Sequence, residues 1–214
     1  MSQSSGTTVS MYKSRKNVLE LLKERGYDVE DYSHFSINEV QTMYESQTLD
    51  MLLTNEQDNK KVYVKYHMGE NIKDKTLRDK AINEYIEDLF HLETILNPKT
   101  DTLLIITKIE PNTTMIKILE QIWKKEGIFL VILNIKRLQF NIMNHDLVPK
   151  HRVLTNEENA TFRKKYNVMN DEQIPTISRF DPVSLALCLR PGEICEITRP
   201  SRTSVTSTFY RICI

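Results

Sequence analysis

Residues 145–151 (HDLVPKH) divide this chain of 214 residues into two parts of different character. Before them, long helical patterns alternate with apolar strand patterns; after them, the elements are short and all three cysteines occur. His145 and His151 suggest a metal pair. They lie on different faces of any helix, however, and Pro149 disfavours a helix. We interpret the stretch as the first turn and strand of a second domain.

The composition is that of an ordinary globular protein. Hydrophobic residues make up 40% of the chain and charged residues 27%, and 29 basic side chains balance 29 acidic ones. This neutral balance argues against a protein that binds nucleic acid by itself through a broad basic face. No apolar run approaches the roughly 18 residues that span a bilayer, so we expect no membrane partner. The polar N-terminus has no signal-peptide core, which predicts a disordered tail over residues 1–10 of an intracellular protein.

Residues 11–139 predict an α/β domain with a central sheet flanked by helices. Residues 61–66 alternate like a strand, and residues 103–107 and 128–133 are unbroken apolar strands of the kind buried on both faces. The predicted helices cover residues 11–25, 36–44 with a capping box, 76–96, and about 115–123 before Gly127.

Residues 140–214 predict a small α+β domain. A capping box at Thr155 opens a helix that ends near Asn167, and Asp181 caps a short helix that runs to about residue 189. Residues 194–198 and 209–214 form an antiparallel pair around a polar loop, residues 199–208. About 70 residues make a marginal core, so we expect this domain to pack on the first domain or, as the preferred interpretation, on a partner.

The sequence predicts no catalytic residue, no cofactor and no metal site. The cysteines lack CxxC spacing and are interpreted as buried thiols in a reducing compartment. Asp58 and Lys60 resemble part of a metal-dependent nuclease site, but no second carboxylate is marked, and a solvated turn is the preferred interpretation.

The segment before the helix at Met115 has two interpretations. Helix N-termini attract anions through their free N–H groups, so its polar residues could lie by DNA phosphates, while helix capping is the plain alternative. The residues predicted to be DNA-proximal are Pro111, Asn112, Thr113, Thr114 and Lys117.

The C-terminal motifs carry a family resemblance. HDLVPKH is followed by QIP at residues 173–175, DPV at 181–183, LRPGEI at 189–194 and YRIC at 210–213. In this order and spacing they resemble the shared fifth subunit of eukaryotic RNA polymerases and its shorter archaeal counterpart. RGY at residues 25–27 and Pro111 resemble that family's N-terminal jaw domain more loosely, which implies a eukaryotic or viral type because the archaeal protein lacks the jaw.

The resemblance implies a non-catalytic polymerase subunit. Its C-terminal assembly domain would dock on the largest subunit and contact other polymerase subunits, while the jaw lies by downstream duplex DNA. The location would be the nucleus for a cellular protein, and a cytoplasmic viral factory or virion for a viral one. A nuclease-like N-terminal domain and a free adaptor protein are the alternatives. The predicted partner-binding residues are His145, Leu147, Val148, Pro149, Lys150, His151, Asp181, Pro182, Arg199, Tyr210 and Arg211.

Overall fold

The structure, a computed structural model, describes residues 2–56, 58–68 and 77–214. The chain divides after Phe140 into two compact parts, unit 1 (Met1–Phe140) and unit 2 (Asn141–Ile214). This division lies one residue beyond the predicted start of the C-terminal domain. Each unit combines helices with a four-stranded sheet, which confirms the mixed α/β class.

The sheet of unit 1 has the order β1-β2-β3-β4. Strand β1 is antiparallel to β2, and β2, β3 and β4 are parallel. All residues of β3 and β4 are buried, as their unbroken apolar sequences predict. Strand β1 escaped prediction because it is short and carries only two fully buried apolar side chains. The strands are β1 (Met51–Asn55), β2 (Lys60–His67), β3 (Thr102–Thr107) and β4 (Phe129–Asn134).

Helix α1 extends further towards the N-terminus than the sequence predicts. The sequence pattern indicates a start at residue 11 after a disordered tail, whereas the helix begins at Ser2. Packing against the 3-10 helix Ile135–Gln139 stabilises the extra turns. Thr8 is buried, and the carbonyl of Ser10 accepts a hydrogen bond from Gln139 Nε2 at 3.1 Å. The remaining helices of unit 1 are α2 (Glu30–Ser33), α3 (Ile37–Glu45), α4 (Asp79–Ile86) and α5 (Thr113–Glu126).

The helix predicted for residues 76–96 is shorter and changes form; Thr76 lies outside the described residues. A π-helix, Glu87–Leu92, follows α4 directly. Because a π turn holds more residues than an α turn, it shifts the helical phase. Leu92, predicted on the apolar face, is therefore 69% exposed, whereas Phe90 is buried.

Unit 2 is built on a sheet of order β5-β7-β8-β6. Strand β7 is antiparallel to both β5 and β8, and β6 is parallel to β8. The predicted β7–β8 pair is confirmed, but its strands are longer than predicted, so the connecting loop shrinks from residues 199–208 to 201–205. Four residues predicted to lie in the loop are strand residues that face each other across the hairpin, Arg199 opposite Ser207 and Pro200 opposite Thr206. The strands are β5 (Lys150–Val153), β6 (Thr176–Ile177), β7 (Ile194–Pro200) and β8 (Thr206–Cys213).

Each face of the unit 2 sheet carries its own small core. On one face, Cys195, Ile197 and Cys213 pack with Leu187 and Leu189. On the other, Ile194 and Ile212 pack with residues of α6 (Asn156–Tyr166), including Phe162. Helix α7 (Pro182–Ala186) is shorter than predicted because Cys188 adopts a left-handed φ of 45°, which ends the helix.

Candidate partner-binding surface and DNA-proximal segment

Residues 145–151 form a turn that leads into β5. His145 Nδ1 accepts a hydrogen bond from the Leu147 N–H at 3.2 Å, and His151 Nδ1 donates to the Pro149 carbonyl at 2.6 Å. Both imidazoles thus stabilise the turn. Within the described residues, no group of three or more His, Cys, Asp or Glu side chains is placed to hold a metal ion.

Two of the most exposed apolar side chains of unit 2, Leu147 and Val205, lie in turns at the same end of its sheet. Lys150 pairs with Thr198, so the turn before Lys150 lies at the same sheet end as the β7–β8 loop. Leu147 is 85% exposed and Val205 91% exposed. We call this region the hairpin end, defined by Leu147, Lys150, His151, Arg199, Val205 and Phe209.

One sheet face at the hairpin end presents a cation on an aromatic ring. His151, Ile197 and Phe209 are register partners, so their side chains share a face. Arg199, two residues after Ile197, lies on that face with its Cζ 3.6 Å from the Phe209 ring centroid. Phe209 remains 39% exposed despite this stack. An exposed Arg–aromatic pair beside apolar side chains has the composition of a protein-binding surface.

The opposite face carries an ion-pair network that the sequence motifs did not reveal. Arg152 contacts Glu196 through Nη2 at 2.7 Å and Glu158 through Nη1 at 2.6 Å. These hydrogen bonds raise the pKa of Arg152, and the one to Glu158 has the larger effect. The capping box that fixes Glu158 is a sequence signal that could have indicated part of it, whereas the pairing of Arg152 with Glu196 is visible only in the structure.

Three predicted partner-binding residues have roles inside unit 2. Tyr210 packs against Phe162, with ring centroids 4.3 Å apart, and its hydroxyl donates to Glu196 at 3.2 Å. Burial, and to a smaller extent the negative charge of Glu196, raises the pKa of Tyr210 to about 12. Asp181 caps α7 by accepting from the Val183 N–H, and Arg211 donates to the Thr176 carbonyl. These contacts stabilise the unit itself.

The predicted DNA-proximal residues lie at the start of α5. Pro111 and Asn112 end the loop that follows the carboxyl end of β3, and the other three belong to the first turns of the helix. Asn112 is the N-cap, and its Oδ1 accepts from the Met115 N–H at 2.8 Å, so the capping interpretation holds for this side chain. Thr113, Thr114 and Lys117 are exposed, and Pro111 is half-buried. Just before them, Glu110 forms two 2.9 Å hydrogen bonds to Arg137, which neutralise one carboxylate beside the helix start.

The other candidate chemistries have ordinary structural surroundings. The Asp58 carboxylate pairs with Lys60 at 3.4 Å and is 51% exposed, as expected of a solvated turn. All three cysteines are buried as free thiols, and burial raises the pKa of Cys195 to about 11 and that of Cys213 to about 12. Such thiols are poor nucleophiles at neutral pH. Across the described ranges, each helix is too short or too polar to cross a bilayer.

Known proteins match this chain in two ways. Residues 140–213 match the family model described as RNA polymerase Rpb5, C-terminal domain. DNA-directed RNA polymerase subunit Rpo5 of Thermococcus kodakarensis is 41% identical over 76 residues, which cover 36% of this chain and 92% of the archaeal protein. The chain belongs to the RNA polymerase subunit 5 family. The resemblance carried by the C-terminal motifs is confirmed.

Similarity to this family extends beyond unit 2. DNA-directed RNA polymerase V subunit 5A of Arabidopsis thaliana is 28% identical over 206 residues, covering 94% of this chain and 86% of that protein. The subunit RPABC1 of RNA polymerases I, II and III from Caenorhabditis elegans is 40% identical over 77 residues, 36% of each chain. The two matches that cover 36% of this chain thus have 40–41% identity, and the match that covers 94% of it has 28%.

Proposed function

We propose that this chain is a non-catalytic subunit of a multisubunit DNA-directed RNA polymerase. Unit 2 is the assembly domain that docks on the largest subunit, and unit 1 is the jaw that lies by downstream duplex DNA. One observation carries the proposal: the family match falls on residues 140–213, and the archaeal relative consists almost entirely of that part. A segment that suffices as a polymerase subunit in archaea is the segment expected to attach this chain to a polymerase.

The hairpin end is the surface that we propose for docking. Leu147 and Phe209 expose apolar area that a partner would remove from water, and burying one such side chain completely contributes about 1.5–3 kcal/mol. Arg199 and Lys150 flank them and suit carboxylates of the partner. Of the predicted partner-binding residues, Tyr210, Asp181 and Arg211 would support this surface through their contacts within unit 2.

Affinity purification of the full-length chain with an N-terminal tag tests the docking. The unmodified chain should recover the large polymerase subunits, and Leu147→Asp should reduce their recovery by about 10-fold or more, since a buried carboxylate replaces an apolar contact. Met169→Asp is the matched control, because Met169 is 76% exposed in unit 2 but lies outside the hairpin end. Recovery of the chain alone, or equal losses for both variants, contradicts the proposal. Migration of the chain in extract at a size far below a polymerase supports the free-adaptor alternative instead.

The proposed DNA contact is weak and local. Thr113 and Thr114 offer the free N–H groups of a helix start, and Lys117 adds a cation one turn later. One lysine–phosphate contact changes the slope of log affinity against log salt by about one unit. The neutral overall charge agrees with contact made only inside a larger complex.

Crosslinking of downstream DNA in the assembled polymerase tests this contact. Lys117→Glu should weaken crosslinking to this chain, whereas Lys125→Glu should not. Lys125 is an exposed lysine of the same helix, about 12 Å further along its axis. Equal crosslinking for the unmodified chain and Lys117→Glu removes α5 from the DNA path without affecting the docking proposal.

Location follows from the polymerase that the chain serves. A cellular eukaryotic polymerase implies the nucleus, and a viral polymerase implies the cytoplasmic factory or the virion. Imaging of the tagged chain together with the largest subunit distinguishes these cases.

A further inference from the structure

A groove in unit 1 lies between α1 and the segment that contains α2 and the start of α3. Its volume is about 740 Å³, within the range of roughly 300–1,000 Å³ that ligand sites occupy. Apolar walls come from Leu19, Val29 and Val40, and aromatic ones from Tyr32 and Phe35. The lining of this groove shares no residue with the hairpin end or with the start of α5.

The groove is lined by an arginine whose hydrogen bonding is incomplete. Arg15 is 4% exposed, yet its Nε has no hydrogen-bond partner. Its Nη1 donates to the Leu49 carbonyl at 2.9 Å, and its Cζ lies 5.3 Å from the Phe35 ring centroid and 5.7 Å from that of Tyr32. No carboxylate among the described residues forms an ion pair with it. A guanidinium donates through Nε, Nη1 and Nη2; here Nη1 has a protein acceptor, whereas the buried Nε has none.

Such an arrangement destabilises the fold unless a bound ligand completes the hydrogen bonding of the guanidinium. Burying a charge without a charged or fully hydrogen-bonded partner costs several kcal/mol. Burial also lowers the pKa of Arg15, as expected when the charged form lacks compensation. Ring faces and a single carbonyl offset only part of this cost, whereas a carboxylate would complete the fork of the guanidinium with two parallel bonds.

We propose that this groove binds a short acidic peptide segment of a partner protein, with an aspartate or glutamate on Arg15 and apolar neighbours on the Leu19–Val40 walls. The remaining charges favour a peptide over nucleic acid. Arg15, Lys16 and Lys23 provide three cations, and Glu20, Asp28 and Glu30 provide three carboxylates, so the lining has no net charge apart from His34. A polyphosphate backbone needs a positive track, which this lining does not supply.

The two walls nevertheless differ in net charge. All three cations lie on α1 together with one carboxylate, Glu20. Asp28 and Glu30 lie on the other wall, just before and at the start of α2, where Asp28 Oδ1 accepts from the Glu30 N–H at 3.0 Å. A peptide carboxylate is therefore drawn to the α1 wall. A doubly charged phosphate would meet stronger repulsion from the α2 wall than a single carboxylate does.

Titration of the full-length ¹⁵N-labelled chain with two peptides tests the proposal. The probes are acetyl-Leu-Asp-Phe-amide and its neutral analogue acetyl-Leu-Asn-Phe-amide, followed by NMR of backbone amides and arginine Nε–H groups. We expect the aspartate peptide to shift the Arg15 Nε–H signal and to bind at least about 10-fold more tightly than the asparagine peptide. This comparison uses the unmodified chain and does not depend on any variant folding.

Variants then assign the preference to Arg15. Arg15→Met keeps a long apolar side chain and should bind both peptides equally, without loss of stability, because it removes an uncompensated buried charge. Lys13→Met is the matched control, an exposed cation on the same helix outside the groove, and should keep the preference. Equal affinity of the unmodified chain for both peptides, or no shift up to about 10 mM, overturns the proposal. Displacement by inorganic phosphate or a single-stranded DNA oligomer at lower concentration than the peptide also overturns it.

Discussion

Asp101 is a buried carboxylate at the amino-terminal end of the two inner strands of the unit 1 sheet, β2 and β3. It is 3% exposed and directly precedes β3. Its Oδ1 accepts from the Lys61 N–H and the Thr100 hydroxyl, both at 2.9 Å, and its Oδ2 accepts from the Asn97 N–H at 2.7 Å. One side chain thus joins the start of β2 to the loop after the π-helix. We predict that Asp101→Asn destabilises unit 1 by about 2–4 kcal/mol.

The magnitude follows from these bonds. An amide has one oxygen, so its NH₂ group must face either the Asn97 N–H or the Lys61 and Thr100 donors. At least one hydrogen bond to a charged acceptor is lost, worth about 1.5–3 kcal/mol, and the others become neutral and weaker by roughly half. The smaller desolvation cost of a neutral side chain returns part of this sum.

The single tryptophan makes the measurement specific to unit 1. Trp123 on α5 packs edge-on against Phe129, with ring centroids 5.7 Å apart, so its fluorescence reports unfolding of this unit. In urea, the midpoint for Asp101→Asn should fall by roughly 1–2 M. Asp58→Asn is the matched control, since its exposed ion pair should contribute less than about 1 kcal/mol. A midpoint for Asp101→Asn equal to that of the control would refute the assigned role.

Three further predictions concern a turn, the thiols and the second core. Gly127→Ala should lower the urea midpoint of Trp123 fluorescence by the equivalent of about 1–2 kcal/mol, because a residue with a Cβ is strained at a φ of 70°. No steric clash adds to this cost, since the added Cβ meets nothing within 4 Å. Native thiols should resist alkylation at pH 8. Burial raises the pKa of Cys195 from 9.0 to about 11. The stability that its protonated thiol contributes is therefore complete below pH 9 and is lost as the pH rises to 11, which urea midpoints measured across this window will check. Leu189→Ala, at a fully buried site, should cost about 2–5 kcal/mol and expose the thiols at lower urea concentration without moving the Trp123 midpoint.

Local signals in the sequence predicted most helix ends and the central strands. The capping boxes at Ser36 and Thr155 both form, and Gly127 and Asn167 adopt the left-handed conformation that ends a helix. Each signal requires only residues within one helical turn. Its effect on the backbone therefore does not depend on distant residues.

Features that depend on distant residues were mispredicted. The first turns of α1 form against a 3-10 helix more than a hundred residues away, which no local pattern indicates. The π-helix changes the phase of an otherwise regular apolar spacing, and the length of the β7–β8 hairpin is set by cross-strand pairs of polar residues. The incomplete bonding of Arg15 likewise becomes visible only when α1, Leu49 and the aromatic rings meet.

The family motifs combine two kinds of residue, and only the structure separates them. Asp181, Tyr210 and His151 have hydrogen-bond partners within unit 2, so folding alone is sufficient reason for their presence. Leu147 has a different position, because 85% of it faces solvent in a turn whose hydrogen bonds use only its backbone N–H. A single exposed apolar residue is ordinary on a protein surface, so the docking role that we propose for Leu147 rests on its position in the hairpin end with the exposed Val205 and Phe209. For this reason Leu147→Asp is a sharper test of docking than a substitution of any conspicuous motif residue.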